Sequence, residues 1–132
     1  MGRTALAVTA LTQNAGINIP TGTPIDQTNG FAIALPGAGP AAGTADHLFL
    51  LIQSTSLSDQ VVTVKGNSST TTPTRGGTAG ADLTVTCHAA SGGCVIGPLE
   101  VTRFAQTGGA VWVDFDAGSQ GTITAFMWPT RW

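Results

Sequence analysis

Two aspartates and a tryptophan alternate along one predicted strand near the end of the chain. Side chains of a strand point to opposite faces in turn, so Trp112, Asp114 and Asp116 should share one face of residues 110–116. Two carboxylates could bind a cation, and a carboxylate pair is also the minimum set for glycoside hydrolysis. Positions i and i+2 of one strand cannot flank a scissile bond. We therefore expect solvated surface carboxylates, with Trp112 able to stack on a sugar in a carbohydrate-binding module.

The two cysteines form the second group with chemical potential. Cys87 and Cys94 flank residues 88–93, which could return the chain as a hairpin and bring the sulfurs together. A disulfide closing this loop would contribute about 2.5 kcal/mol through the entropy of the unfolded chain. Two alternatives stay open. The cysteines could remain free thiols, or Cys87, His88 and Cys94 could ligate zinc, although no fourth ligand is evident and the spacing matches no standard site.

Catalytic machinery has little support elsewhere in the sequence. The chain has two histidines and no tyrosine, and it contains no nucleophile elbow, zinc-protease motif or phosphate-binding loop. The glycine-rich run at residues 37–43 is interrupted by Pro40, so it does not predict a dinucleotide site. We expect no catalytic, cofactor-binding or metal-binding residue, and therefore a protein that is not an enzyme and has no cofactor.

Charge is scarce throughout the chain. Only 9% of the residues are Asp, Glu, Lys or Arg, with one lysine and 18 glycines, whereas a soluble domain usually carries about 25% charge. A neutral surface of this kind is typical of a subunit fixed in a larger assembly. The net charge of −2 and scattered basic residues argue against nucleic acid as a partner. The longest apolar run, residues 48–52, is far shorter than a membrane span of about 20 residues.

The predicted fold is all-β: one domain over residues 1–132, a β-sandwich or a jelly-roll-like small barrel of about eight strands. Helix should be confined to a turn or two, because no apolar stripe recurs with a helical period. The start of the chain is expected to form a strand, not a cleaved signal peptide. The predicted strands are residues 4–11, 31–35, 47–54, 60–65, 83–87, 95–104 with a break at Gly97-Pro98, 110–116 and 122–128.

Two strands carry more specific predictions. In residues 110–116, Val111, Val113 and Phe115 should face the core. Residues 47–53 are apolar on both faces, which favours a central strand of the domain's own core; a strand covered by a partner subunit is the alternative. The loops at 36–45 and 66–80 are rich in small and polar residues, and are either mobile or reach a neighbouring subunit.

A sequence of strands and turns in residues 83–129 carries a family resemblance. It resembles the small β-sandwich proteins encoded among the head genes of tailed bacteriophages, the capsid decoration or cement proteins. The segments that carry the resemblance are Leu83-Thr-Val-Thr, Val95-Ile-Gly-Pro-Leu-Glu100, Arg103-Phe104, Gly109-Ala-Val-Trp-Val-Asp-Phe115, Thr122-Ile-Thr-Ala-Phe126 and Pro129.

This resemblance implies a structural virion protein that binds the outer surface of a phage capsid and stabilises the shell. The implied partner is the major capsid protein, with self-association on the capsid lattice, for example as a trimer, and assembly in the host cytoplasm. No contact with nucleic acid or a membrane is expected. Residues 1–14 and the loop at 66–80 are the expected contact elements, the former extended as a strand onto a neighbour. Another virion component, such as a tail or head-fibre protein, and a secreted carbohydrate-binding module are the alternatives.

Overall fold

Two mixed β-sheets enclose the core in the computed structural model, which describes residues 2–12, 14–34, 48–67, 81–99, 101–106 and 109–127. Sheet A has the strand order β1-β4-β9-β6-β7, and sheet B has the order β2-β10-β5-β8, with β3 also paired to β10. The all-β prediction is confirmed. In chain order the strands are β1 (Thr4–Ala5), β2 (Val8–Ala10), β3 (Thr23–Pro24), β4 (Phe31–Ala34), β5 (Leu48–Ser54), β6 (Gln60–Val64), β7 (Leu83–Cys87), β8 (Gly93–Leu99), β9 (Ala110–Phe115) and β10 (Gly121–Met127).

The core lies between the sheets and follows from the alternation of side chains along each strand. The predicted inward face of β9 is confirmed, because Val111, Val113 and Phe115 are all buried. Phe115 meets Phe31 of β4 edge to face, with ring centroids 6.0 Å apart. Sheet B contributes a facing set of apolar side chains to the same core: Leu48, Leu50, Ile52, Ile96, Leu99, Ile123, Ala125 and Met127.

Strand β5 is central, as its apolar sequence predicts. It lies between β10 and β8, and Leu48, Leu50 and Ile52 have no exposed surface. On its other side Phe49 stacks on Phe126 of β10 with ring centroids 5.2 Å apart. The domain therefore covers this strand largely by itself, while Leu51 on the same outer side stays half-buried.

The N-terminal segment departs from the prediction of one strand over residues 4–11. It splits into β1, which pairs in parallel with β4 of sheet A, and β2, which pairs in parallel with β10 of sheet B. Leu6 lies between them and is buried, so the chain crosses from one sheet to the other through the edge of the core. Strand β3 was not predicted, because two paired residues carry no periodicity.

The predicted strand over residues 95–104 is also wrong in its second half. Strand β8 continues through Gly97-Pro98, which is joined by a cis peptide bond, and ends at Leu99. Val101–Phe104 then forms a helical turn, α1. A 3-10 turn at Ala89–Ser91 is the other helical element of the described residues, in agreement with the prediction of a turn or two. None of the helices in the described ranges is long and apolar enough to cross a membrane.

Two glycines allow the neighbours of β5 to begin close to its backbone. A Cβ atom on Gly93 would lie 1.9 Å from the carbonyl oxygen of Ile52, and one on Gly121 would lie 2.0 Å from that of Gln53. Both glycines also have positive φ angles, 150° and 129°. Any other residue would clash there, so β8 and β10 can flank the end of β5 only with glycine at these positions.

Candidate functional site

The Asp114 carboxylate is engaged in an ion pair. Arg3 Nη1 lies 2.5 Å from Asp114 Oδ1, and Arg3 Nη2 lies 3.3 Å from Oδ2. The same guanidinium stands 4.7 Å from the centre of the Trp112 ring. One face of the indole is therefore occupied, although 37% of Trp112 is exposed. These contacts bind Arg3, the residue before β1, to the outer face of β9.

Asp116, the second predicted surface carboxylate, serves the turn that follows β9. Its Oδ1 accepts hydrogen bonds from the Ser119 hydroxyl at 2.6 Å and from the Val61 backbone N–H at 3.0 Å. Asp114 and Asp116 thus have separate partners and do not converge on a shared site. Among the described residues, no group of three or more His, Cys, Asp or Glu side chains is placed to hold a metal ion.

Cys87 and Cys94 are joined by a disulfide, with an S–S distance of 2.03 Å and Cα atoms 5.4 Å apart. The predicted hairpin between them is wrong, because Cys87 ends β7 in sheet A whereas Cys94 belongs to β8 in sheet B. The intervening residues carry the chain from one sheet to the other. The disulfide therefore links the two sheets at their edges, and it leaves neither sulfur as the thiolate that the zinc alternative requires.

Asp59 holds the turn inside this disulfide loop. Its carboxylate accepts a hydrogen bond from the Ala89 backbone N–H at 2.9 Å and lies 2.9 Å from His88 Nδ1. The Ala89 N–H, followed by His88, lowers the pKa of Asp59 because both stabilise the ionised form. His88 is exposed and pairs with this carboxylate, and so has a structural partner.

Asp26 performs the same task at the opposite edge of sheet A. It accepts hydrogen bonds from the Thr4 hydroxyl at 2.6 Å, from the Asn29 backbone and side chain at 3.0 and 3.1 Å, and from the Thr28 backbone at 3.1 Å. These donors, with Thr4 foremost, lower the pKa of Asp26 to about 2. The carboxylate thereby connects β1 to the turn that precedes β4.

An ion pair joins the residues on either side of the predicted loop at 66–80. Lys65 Nζ lies 2.7 Å from Asp82 Oδ2, and the Gly66 backbone N–H donates to Asp82 Oδ1 at 2.8 Å. Lys65 lowers the pKa of Asp82, with Gly66 second. Arg103 of α1 adds hydrogen bonds to the carbonyl oxygens of Ala81 and Asp82, at 2.9 and 3.1 Å. Residues 68–80, like the other predicted loop at 36–45, lie outside the described residues.

The charged residues are distributed very unevenly between the sheets. Seven of the eight charged residues within the described ranges lie on, next to, or bonded to a strand of sheet A, whereas no strand of sheet B contains one. The eighth, Arg103 of α1, bonds to the two residues that precede β7. Sequence analysis missed this segregation, because it depends on which strands share a sheet. The eight residues are Arg3, Asp26, Asp59, Lys65, Asp82, Arg103, Asp114 and Asp116. Four further charged residues, Asp46, Arg75, Glu100 and Arg131, lie outside the described ranges.

The outer face of sheet B is consequently neutral. Its side chains point away from the core, and strand register places them side by side across four strands: Thr9, Phe49, Leu51, Gln53, Val95, Thr122, Thr124 and Phe126. Gln53 and Val95 are exposed, whereas Thr124 and Phe126 are buried. Val95 on the edge strand β8 is 64% exposed. Beside it lies an open depression of about 310 Å³, lined in part by Leu51, Gln53, Gly92 and Gly93.

The other side of this face is partly covered by the chain segment that leads to β3. A cavity of about 160 Å³ lies where β10 passes from its pairing with β3 to its pairing with β2; its lining includes Leu6, Thr9, Gly22 and Thr124. The Thr124 hydroxyl is buried there and finds no hydrogen-bond partner among the described residues. The cavity is large enough for water, whose share of liquid volume is about 30 Å³ per molecule.

The residues singled out by sequence analysis thus have mainly structural roles. Asp114 and Asp116 hold strands and turns, Trp112 packs against Arg3, and the cysteines join the sheets. The neutral face of sheet B and the open depression beside Val95 are the candidate site. No protein-family model, no curated protein and no solved structure matches this chain.

Proposed function

We propose that this protein is a structural virion component that binds the outer surface of a phage capsid and stabilises the shell. The observation that carries the proposal is the segregation of charge. A free, solvated domain gains little from a whole sheet without charged side chains, whereas a subunit of an assembly can bury such a face at low cost. The resemblance of residues 83–129 to capsid decoration proteins is the reason for proposing that this assembly is a phage capsid.

The side-chain partners on sheet A support a binding role over a catalytic one. Asp26, Asp59, Asp82 and Asp114 all hold turns, loops or strands through their hydrogen bonds and ion pairs. A general acid or base must keep its carboxyl group available to a substrate. These carboxylates instead make the framework rigid, which suits a subunit whose task is to present a fixed surface.

Stabilisation of a shell follows from binding that favours the assembled state. A protein that binds the shell but not its separated subunits stabilises the shell by its binding free energy, and many copies on a lattice multiply a modest contribution per site. Because the chain is poor in charge, the contacts should be apolar or hydrogen-bonded. Their dependence on salt should therefore be mild.

The test compares phage heads that contain and lack this protein. Heads without it should still assemble but release their DNA at a lower temperature, and the purified protein should rebind bare expanded heads at micromolar concentration. Equal heat resistance of the two kinds of head, or failure to rebind, would contradict the proposal. Binding to tails, or glycan binding by the free monomer that depends on Trp112, would then favour the two alternative functions.

The N-terminal segment needs a gentler test than deletion. Removing residues 2–14 would delete β1, β2 and the buried Leu6, so loss of rebinding could reflect loss of the fold. A substitution such as Ala5→Glu places a charge at an exposed position of the edge strand β1 and leaves the strand pairs in place. If this segment contacts a neighbour, Ala5→Glu should weaken rebinding without lowering the melting temperature of the free protein.

A further inference from the structure

We infer that the outer face of sheet B is the surface that meets the shell, and that the outer face of sheet A points to solvent. The partner surface is assigned a chemistry: a neutral area of the assembled shell, made of apolar and hydroxyl-bearing side chains. The inference rests on the proposed function. It goes further by naming the face, the partner's chemistry and a residue at the centre of the contact.

The cost of burial distinguishes the two faces. On sheet A, contact would bury the Arg3–Asp114 pair, whose side chains are 21% and 38% exposed, and approach the Lys65–Asp82 pair, at 36% and 38%. Removing such charges from water carries a desolvation cost that new contacts must offset. On sheet B, the described face offers only apolar, hydroxyl and amide side chains, so burial there carries no such cost.

Charge complementarity also defines the partner. A face without charged residues offers no ion-pair partner to a charged opposite surface, and that surface would lose hydration on contact. The cores of protein interfaces are depleted of charged residues for this reason. The surface that best fits the outer face of sheet B is therefore itself free of charge.

Val95 and the adjoining depression mark the centre of this contact. Val95 stands opposite Leu51 of β5, and its 64% exposure makes it one of the most exposed large apolar side chains of the described residues. The depression next to it is bordered by Gly92 and Gly93, which contribute no side chains. A protruding apolar side chain of the shell can enter this space, and such an anchor in a pocket is the usual energetic centre of an interface.

The experiment places the same charge on each face. Val95→Glu alters edge strand β8 of sheet B, and Thr86→Glu is its matched control on edge strand β7 of sheet A, where Thr86 is also exposed. Binding to bare expanded heads is measured by cosedimentation over a range of protein concentrations. Val95→Glu should weaken binding at least about tenfold, while Thr86→Glu should stay within about twofold of the original protein.

Two further variants separate the causes of a loss. Val95→Thr keeps the position neutral and should retain binding, while Val95→Lys should lose binding as Val95→Glu does, because either charge must be desolvated. Loss with only one sign of charge would overturn the neutral partner surface. Melting temperatures close to that of the original protein establish that each variant is folded. A Val95 variant that melts early is replaced by Gln53→Glu, at an exposed position beside the same depression.

The outcomes also separate this inference from the proposed function. If the original protein does not bind heads, the proposed function fails and the inference with it. If the original protein binds and Val95→Glu binds equally well, the function stands and the choice of face is wrong. Loss with Thr86→Glu alone would reverse the assignment. If the free protein forms an oligomer that Val95→Glu converts to monomer, the face joins copies of this chain, and the shell assignment is overturned.

Discussion

The outer faces of the two sheets differ in the forces that act on them. On sheet A, Arg3, Asp114 and Trp112 form a cluster that fastens the N-terminal strand, and ion pairs or charged hydrogen bonds hold the turns at its ends. On sheet B, the outer face is neutral, and its strands are held by backbone pairing, by the Phe49–Phe126 stack and by the core. Charged side-chain contacts therefore hold sheet A, whereas backbone pairing and apolar packing hold sheet B.

The difference also predicts that the two sheets respond differently to acid. Asp26, Asp59 and Asp82 have partners that lower their pKa values, so acid strong enough to protonate them should loosen sheet A first. The strands of sheet B contain no Asp, Glu, His, Lys or Arg residue, so the stability of this sheet should depend on packing and change little with pH. Four measurements test this contrast.

The largest effect is expected where Gly121 of β10 lies close to the backbone of β5. Gly121→Ala should lower the free energy of unfolding by about 3 kcal/mol or more, because a Cβ there would overlap the Gln53 carbonyl oxygen. Gly118→Ala is the matched control: Gly118 also has a positive φ angle, 88°, but open space around the added carbon. It should cost about 1 to 2 kcal/mol. Urea unfolding measures both, and equal losses would show that backbone conformation alone, not the contact with β5, requires Gly121.

The next effect concerns the covalent link between the sheets. Reduction of the Cys87–Cys94 disulfide should lower the free energy of unfolding by about 2.5 kcal/mol, because the unfolded chain regains the entropy of the open loop. Urea unfolding with and without reductant measures this change. The double variant Cys87→Ala with Cys94→Ala should be insensitive to reductant. Two titratable thiols in the denatured, unreduced protein would contradict the link.

A smaller effect should come from the buried hydroxyl of sheet B. Thr124→Val replaces a hydroxyl that has no described partner by a methyl group of similar shape, and should raise the free energy of unfolding by about 1 kcal/mol. Thr122→Val, on the same strand and face but less buried, should be nearly neutral. A fall in stability with Thr124→Val would instead show that water in the adjoining cavity bonds to the hydroxyl.

The smallest effect is expected at the Asp26 turn of sheet A. The pKa of Asp26 lies near 2, below its usual value of 3.8, so its ionised form stabilises the folded state. This contribution is complete above about pH 4 and is lost as the pH falls through about 2. Asp26→Asn should therefore be less stable at neutral pH and show a shallower decline in melting temperature on acidification. The melting temperature of the variant should still fall somewhat in acid, because the pKa values of Asp59 and Asp82 are also lowered.

The sequence predicted the features that depend on alternation within one strand. The inward side chains of β9 and the central place of β5 followed from which positions are apolar, and both were confirmed. The positions of Trp112 and Asp114 on the outer face followed from the same rule. Each of these predictions uses only neighbours along the chain, and burial is decided by the same local pattern.

The features that depend on pairing between distant strands could not be predicted. In sequence, residues 4–11 look like one long strand, although the chain crosses between the sheets at Leu6. Residues 87–94 look like a hairpin, although they carry the chain from sheet A to sheet B. The ion pair between Arg3 and Asp114 joins residues at opposite ends of the chain. The neutral face of sheet B follows only once strand order is known, although the low content of charged residues indicated that such a surface was available.

The disulfide between the sheets also determines what a protease can release. Residues 88–93 connect sheet A to sheet B, and His88, Ala90 and Ser91 are exposed. A cut within this connection would divide the chain, but Cys87 and Cys94 would keep the two fragments covalently joined. The nicked protein would therefore migrate as one species until a reductant is added. The disulfide would thus keep both halves of the fold in place after a single cut.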